Sequence, residues 1–355
     1  MANEKVSSHM KAALYSGPQD LKIIDVPTPV AGDNEILIRV HSCATCGTDA
    51  KIFNHGHPRL KPPQIIGHEI AGEIVTVGAS VDGYSVGDRV QVIAAIPCGT
   101  CWLCTSRRVT ICGNQLSMGY QFPGGFAEYM VIPHEVIRVN GVNKIPANIS
   151  YDEAAVTEPL ACVLNAQRIL DVKKGDTVLV MGAGPIGCLH VRVARALGAD
   201  KVFLADINGG RLKKSADVVK PDAAFDMSQV KLEEAILSVT DGHGPSIIIT
   251  AAPAAKAQEQ AISMVAPGGK VSFFGGLPKD APFIQCDANI VHYKEVTLYG
   301  ANGSSPQQNL DALNLIASGK VQVADLITHK VALDNVQDAI DAVLSGDAIK
   351  VVVNP

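Results

Sequence analysis

No run of apolar residues in this 355-residue chain is long enough to cross a bilayer. The longest, such as Ile247 to Ala255, stop well short of the roughly 20 residues a spanning helix needs. Positive charge is not in excess either: a formal net charge of −5 leaves no basic footprint, which speaks against nucleic acid as a primary partner. Internal repeats and low-complexity segments are missing too, so solenoid and linker-like architectures are excluded. The opening stretch from Met1 to Met10 has one lysine, some serines and no apolar core, and therefore lacks the parts of a secretory signal; a cytoplasmic location is expected. What is present is the composition of an ordinary globular enzyme, 47% hydrophobic and 18% charged. The length suffices for about two domains, each with its own core. An acidic balance suits small-molecule chemistry.

Nine cysteines in a chain expected to be cytoplasmic argue for metal binding over a disulfide framework. Cys98, Cys101, Cys104 and Cys112 fall within one short stretch, and four thiolates wrapped on one tetrahedral Zn²⁺ leave no position open for substrate. The metal there is expected to be structural. An iron–sulfur cluster is the competing reading, disfavoured because nothing else in the chain implies electron carriage. A second stretch, Cys43 to Glu69, supplies a thiol (Cys46), a hydroxyl (Thr48), an imidazole (His68) and a carboxylate (Glu69). A mixed sulfur, nitrogen and oxygen set of this kind commonly marks a catalytic zinc site. The bland alternative is a buried thiol and a separate, satisfied histidine.

From Met10 to about Asn148 short β-rich runs separated by Gly, Pro and Asp predict a small antiparallel barrel or rolled sheet. Ser150 and Glu153 have capping-box spacing, which predicts a helix from Tyr151 onwards. Glu158 precedes Pro159 and is expected at a bend between two helical pieces, a suitable place for a ligand. From Asp176 the texture changes. Thr177 to Met181, Val202 to Ala205, Ile247 to Thr250 and Lys270 to Phe274 read as parallel strands buried on both faces, and Ile186, Leu189, Val193 and Leu197 share one face of a crossover helix. The expected fold class is therefore α/β, a Rossmann doubly wound parallel sheet joined to a β-rich domain. Gly182, Gly184 and Gly187, with Pro185 and Ile186 between the last two, form a G-x-G-x-x-G turn after a buried strand and at the start of a helix, where backbone N–H groups meet a pyrophosphate. Asp206, at the end of the next strand, is expected to accept hydrogen bonds from the adenosine ribose and to favour NAD over NADP; Arg211 is not placed to replace it.

Taken together, Cys46-Gly47-Thr48-Asp49, Gly67-His68-Glu69, the four-cysteine lobe, Gly124 to Tyr129 and the Gly182 to Gly187 turn resemble the zinc-dependent medium-chain dehydrogenase/reductases over the whole span from Met10 to Pro355. The resemblance implies a GroES-like catalytic domain at 1–155, to which 297–355 returns, and a Rossmann domain at 156–296 that binds NAD, with the active site in the cleft. It implies two zinc ions per chain, one structural and one catalytic. Cys46 and His68 carry over as catalytic zinc ligands, and Glu158, where alcohol dehydrogenases have cysteine, as the third, directly or through water, as in the polyol branch. Glu69 is a fourth ligand or an outer carboxylate. Thr48 carries over as the hydroxyl that passes the proton on. The next relay position holds Lys51, which leaves His55, His57 or solvent as final acceptor. Phe53, Gln121 and Phe126 are the pocket candidates, and Arg59 and Lys61 are available to a phosphorylated substrate. Cys43, Cys162, Cys188 and Cys286 are expected to be buried thiols without a metal role. The implied reaction is oxidation of a secondary alcohol of a polyol or sugar derivative. An L-threonine 3-dehydrogenase or polyol-phosphate dehydrogenase is the nearest alternative, and a non-catalytic NAD-binding protein the alternative of a different class. No membrane partner is expected, and the family suggests a homotetramer, or a homodimer, through edge strands of the Rossmann sheet.

Overall fold

The computed structural model describes residues 6–355, so the Met1 to Lys5 part of the opening stretch lies outside the described residues. The chain divides into two units: Met1–Ala161 with Gly303–Gly319 and Val323–Pro355, and Cys162–Asn302 with Lys320–Gln322. Among the described residues no helix is long and apolar enough to cross a membrane.

In the first unit the main sheet runs in the order Val142–Lys144, Arg89–Val92, Glu69–Val77, Ile36–Ala44, Lys350–Asn354, Ile327–Ala332, and Tyr129–Ile132 also pairs with Ile36–Ala44. Its strands are β-branched on the inward face, and Ile36, Ile38, Ile70, Ile74, Val90, Val92, Val351 and Val353 meet around Phe126 in one core. Each such side chain contributes about 1.5–3 kcal/mol by leaving water. Register is what matters for chemistry. Ala44 lies opposite Glu69 on one side and opposite Val352 on the other, so the end of one strand and the starts of two others meet next to Cys46. The last strand of the chain is thereby inserted beside residues from its first fifth.

The Ser150 cap forms as the spacing predicts, with its hydroxyl accepting from the Glu153 N–H at 3.2 Å and Glu153 answering to the Ser150 N–H at 3.0 Å. That helix, Tyr151–Ala155, ends at Val156 and a second begins at Thr157. Glu158 therefore sits in the first turn of Thr157–Ile169, two residues past the break, which falls at Val156 and not at the bend expected for Glu158 itself. Pro159 is tolerated in that turn because the N–H it lacks has no partner there.

The second unit is a six-stranded parallel sheet in the order Ala223–Asp226, Lys201–Asp206, Thr177–Met181, Ile247–Thr250, Lys270–Phe273, Thr297–Gly300. The strand Thr177–Met181 delivers the chain into the Gly182 turn, and the helix Pro185–Ala196 starts from it with Gly184 as N-cap and proline in its first turn. A side chain at Gly187 would meet the Gly182 carbonyl oxygen at 1.8 Å, so this packing requires glycine. On the same helix His190 is wholly buried, edge-on to Phe274 at 4.7 Å, with Nδ1 accepting from Gln167 Nε2 at 3.1 Å. Burial pushes its imidazole down to about 3. Because the folded value lies below the unfolded one, the stability held by neutral His190 is complete above about pH 6.5 and falls as pH drops towards 3. Between pH 7.5 and 5 this one group is expected to remove about 2 kcal/mol, and a His190→Asn variant to lose correspondingly less over the same interval, read from urea midpoints.

Candidate active site and metal centres

Cys46 occupies the N-cap of the helix Gly47–His55, in extended conformation. Its backbone N–H donates to Asp49 Oδ2 at 2.8 Å, and the other oxygen of the same carboxylate faces His68 Nδ1 at 3.3 Å. Asp49 is fully buried, so one carboxylate orients both the thiol-bearing cap and the imidazole. This is the outer-shell arrangement that fixes the tautomer of a metal-binding histidine and leaves Nε2 for the metal. Burial alone would push His68 down; the Asp49 charge and hydrogen bond, with Cys46, outweigh it and hold the imidazole well above its ordinary value. Zinc uptake therefore displaces a proton here, and its affinity falls as pH falls.

Ligand atoms of Cys46, His68 and Glu69 all lie within 4.8 Å of one another, one sulfur, one nitrogen and one oxygen around a common point. That donor set fits zinc with a position left open. Glu69 is fully buried, with Oε2 2.5 Å from Lys350 Nζ, and Lys350 also donates to the Thr45 carbonyl at 2.7 Å. Burial pushes the Glu69 carboxyl up to about 7 against the pull of Lys350, and Glu158 adds to the rise. Lys350, though its burial favours the neutral form, is held charged by Glu69 and Cys46. Glu158 is half-buried and lies outside the close three-residue set, yet its charge reaches Glu69, Lys350 and Tyr120. Thr48 is half-buried and lies inside the helix, so the cap position belongs to Cys46.

In the cysteine lobe, Cys98 and Cys104 sulfurs stand 4.0 Å apart and those of Cys101 and Cys112 3.8 Å apart. Four sulfurs each about 2.3 Å from one zinc are separated by about 3.8 Å along the edges of the tetrahedron, so the lobe already has the dimensions of a Cys₄ site. None of the cysteines is in a disulfide. Cys98 Sγ accepts the Cys101 N–H at 3.3 Å and Cys112 Sγ accepts the Cys98 N–H at 3.4 Å, the kind of donors that favour thiolate. Those from Thr100 and Cys101 bring the Cys98 thiol down to about 5. Burial sends Cys104 the other way, up to about 12, which a bound dication reverses. Arg138 holds the loop from outside through the Cys98 and Pro97 carbonyls at 3.0 and 3.3 Å.

At the dinucleotide turn, Asp206 is buried and fully engaged. Its Oδ2 accepts from Ala183 N at 2.7 Å and Arg211 Nε at 3.1 Å, its Oδ1 from Asn208 N and Arg211 Nη2 at 2.8 Å each. These donors outweigh burial and hold its carboxyl low. Four donors fill the roughly four acceptor directions of a carboxylate. Asp206 thus braces the glycine turn and grips Arg211, whose side chain is the more exposed partner, 37% against 2%.

Several other expectations are revised. Phe126 is fully buried in the core, so it does not line a pocket. Gln121 spends both ends of its amide, Nε2 on the Arg59 carbonyl at 2.7 Å and Oε1 on the Ser117 N–H at 2.9 Å. Arg59 Nη2 is held by the Gln115 carbonyl at 2.5 Å. Phe53 is half-buried, while Lys51, His55 and Lys61 are exposed. Cys43 and Cys188 are buried as expected, Cys162 is intermediate, and Cys286 is exposed, because the segment around it packs few apolar side chains. Asp49 and Lys350 carry roles for which the sequence offered only faint signs: a carboxylate three residues after Cys46, and one lysine at the head of an otherwise apolar strand.

Two family models match the chain: the alcohol dehydrogenase GroES-like domain over residues 32–141 and the zinc-binding dehydrogenase domain over residues 185–318. The chain is 32% identical to a sorbitol dehydrogenase of Halalkalibacterium halodurans, over 98% of this chain and 99% of the relative. It is 33% identical to an L-threonine 3-dehydrogenase of Pyrococcus furiosus, with the same coverage of 98% and 99%. Among solved structures it is similar to a proposed zinc-binding dehydrogenase of Sinorhizobium meliloti bound to NADP, with a TM-score of 0.91 and 29% identity over 98% of this chain and 100% of that one.

Proposed function

The chain belongs to the zinc-dependent medium-chain dehydrogenase/reductases, and within that family we propose that it oxidises a secondary alcohol of a polyol or sugar derivative to the ketone, reversibly, with NAD. The observation that carries this reading is the convergence of Cys46, His68 and Glu69 on one point, braced by Asp49 and Lys350. Zinc held by Cys46, His68 and Glu69 would polarise the alcohol hydroxyl, and a bound dinucleotide would accept the hydride lost from the carbinol carbon. The protein's own residues do the rest. Asp49 keeps the imidazole oriented, Thr48, half-buried two residues after Cys46, is the hydroxyl assigned to receive the alcohol proton, and Lys350 offsets the negative charge of Glu69. The reading of Glu158 as a further ligand, directly or through water, is supported by its half-buried place and its electrostatic reach to Glu69. NAD is read from the acidic residue Asp206 at the strand end where an adenosine ribose meets this fold; because Ala183, Asn208 and Arg211 fill its acceptor directions, contact with the ribose requires Arg211 to swing away.

L-threonine as substrate is the second reading, because relatives of that activity are as similar to this chain as the sorbitol dehydrogenase is. A homo-oligomer is supported by the exposed edge strand Thr297–Gly300, whose Leu298 is 39% exposed, with Tyr293 just before it at 79%. The substrate reading is tested by initial rates with NAD on polyols, sugar phosphates, L-threonine and simple alcohols. The highest kcat/KM is expected on an unphosphorylated polyol or sugar alcohol; a preference for L-threonine of tenfold or more would replace this reading with the second.

A further inference from the structure

Tyr120 stands beside the metal-binding histidine, and the chemistry described above makes no use of it. Its ring centroid lies 6.1 Å from that of His68 and 5.0 Å from that of His57, which meets it edge-on at 83°. The loop that carries it is clamped at several points. Gly119, at φ +75, packs so closely on the backbone before His68 that a side chain there would meet the Gly67 carbonyl at 2.9 Å. Gln64 Nε2 donates to the Tyr120 carbonyl at 3.0 Å, and Gln121 ties the same loop to Arg59 and Ser117. His57 is in turn oriented by its own loop, with Nδ1 accepting the Arg59 N–H at 3.2 Å. A side chain on a braced loop, packed on a second ring, is the kind of group that recognises a ligand with little ordering cost.

The phenol also has the right chemistry. It lies within electrostatic reach of His68, Asp49, Cys46 and Glu158, and a phenol carries its proton at neutral pH and can donate it in a hydrogen bond. With Cys46, His68 and Glu69 given over to a metal and Glu69 also paired with Lys350, a second substrate hydroxyl finds its partner on the neighbouring loop, where the Tyr120 ring stands beside His68.

We infer that Tyr120, steadied by His57, is a substrate-positioning and specificity-determining residue whose O–H donates a hydrogen bond to the hydroxyl adjacent to the carbon being oxidised. It selects vicinal diols and polyols over simple alcohols. This rests on the reading of the Cys46 and His68 centre as the site of alcohol oxidation.

The test compares wild type and Tyr120→Phe on 2,3-butanediol and 2-butanol, with zinc content and thermal midpoint measured on both proteins. Loss of one neutral hydrogen bond corresponds to about a fivefold to tenfold effect. That fall is expected in kcat/KM for the diol, chiefly through KM, with 2-butanol changed less than about twofold and zinc content and midpoint unaltered. Titration calorimetry of the diol into the zinc-loaded protein with NADH is expected to show Kd rising by the same factor. An unchanged diol-to-butanol ratio, or an equal fall on both alcohols, would overturn the role of Tyr120 and leave the dehydrogenase reading standing. Absence of turnover by wild type on either alcohol and on the wider panel would overturn both.

Discussion

A Cys46→Ser variant is expected to retain one zinc per chain where the wild type holds two, and to lose at least about 10³-fold in alcohol oxidation. The two parts of that outcome come from different places in the fold. The Cys98, Cys101, Cys104 and Cys112 lobe builds its tetrahedron from sulfurs 3.8 and 4.0 Å apart within one short segment and shares no ligand with Cys46. Its metal is therefore expected to stay, and with it the thermal midpoint of the lobe. The Cys46 centre has a single sulfur. Replacing it with a hydroxyl removes the soft ligand, while Asp49 still caps the helix through the Cys46 backbone N–H, so the fold has no reason to fail. A Lewis acid contributes several kcal/mol to such a reaction, and 4 kcal/mol is about a factor of 10³. Metal analysis and kinetics on the same preparation check the claim; two zinc ions retained with full activity would remove Cys46 from the centre.

The second large effect concerns stability. Lys350→Met is expected to destabilise the first unit by about 3–5 kcal/mol, the cost of leaving a buried charge without its partner. Lys350 and Glu69 are both buried, their charged atoms are 2.5 Å apart, and the ammonium also satisfies the Thr45 carbonyl. Methionine fills the volume but supplies neither charge nor donor. At about 2–4 °C per kcal/mol for a unit of this size, the thermal midpoint is expected to fall by roughly 10 °C. The fall is expected to be larger after chelation than with zinc bound, since a dication at the Cys46 centre also faces Glu69. Adding Glu69→Gln to Lys350→Met is expected to restore part of the loss, because the orphaned charge is then gone. A midpoint within 2 °C of wild type in the single variant would mean that the pair does not hold this part of the fold.

What the sequence made readable, and what it did not, follows from how far apart the cooperating residues lie. The cysteine lobe, the Gly182 to Gly187 turn and the Ser150 cap are local patterns, and each depends on geometry that a few neighbouring residues enforce. The bend placed at Glu158 falls two residues earlier, at Val156, because Pro159 is accepted within a first helical turn. Lys350 was invisible as a partner of Glu69: their meeting depends on the last strand pairing with Ile36–Ala44 in a register that sets Val352 against Ala44. Gln121 and Phe126 looked like pocket residues by position, but one is consumed by loop hydrogen bonds and the other by the core. Tyr120 was passed over for the same reason, since only the packing of Gly119 on Gly67 brings its ring to His68. Asp206 was read correctly as a strand-end carboxylate, yet the four donors that fill it, two of them from Arg211, depend on a turn and a helix that no pairwise spacing announces.

The central claim is that Cys46, His68 and Glu69 hold a zinc that this chain needs in order to oxidise alcohols with NAD. It is tested most directly by following NADH formation from a panel of polyols before chelation, after removal of the more labile zinc, and after zinc is returned. The account requires activity that disappears with that zinc and returns with zinc alone, at two metal ions per chain. Turnover that persists at full rate with only the cysteine-lobe zinc present would contradict it.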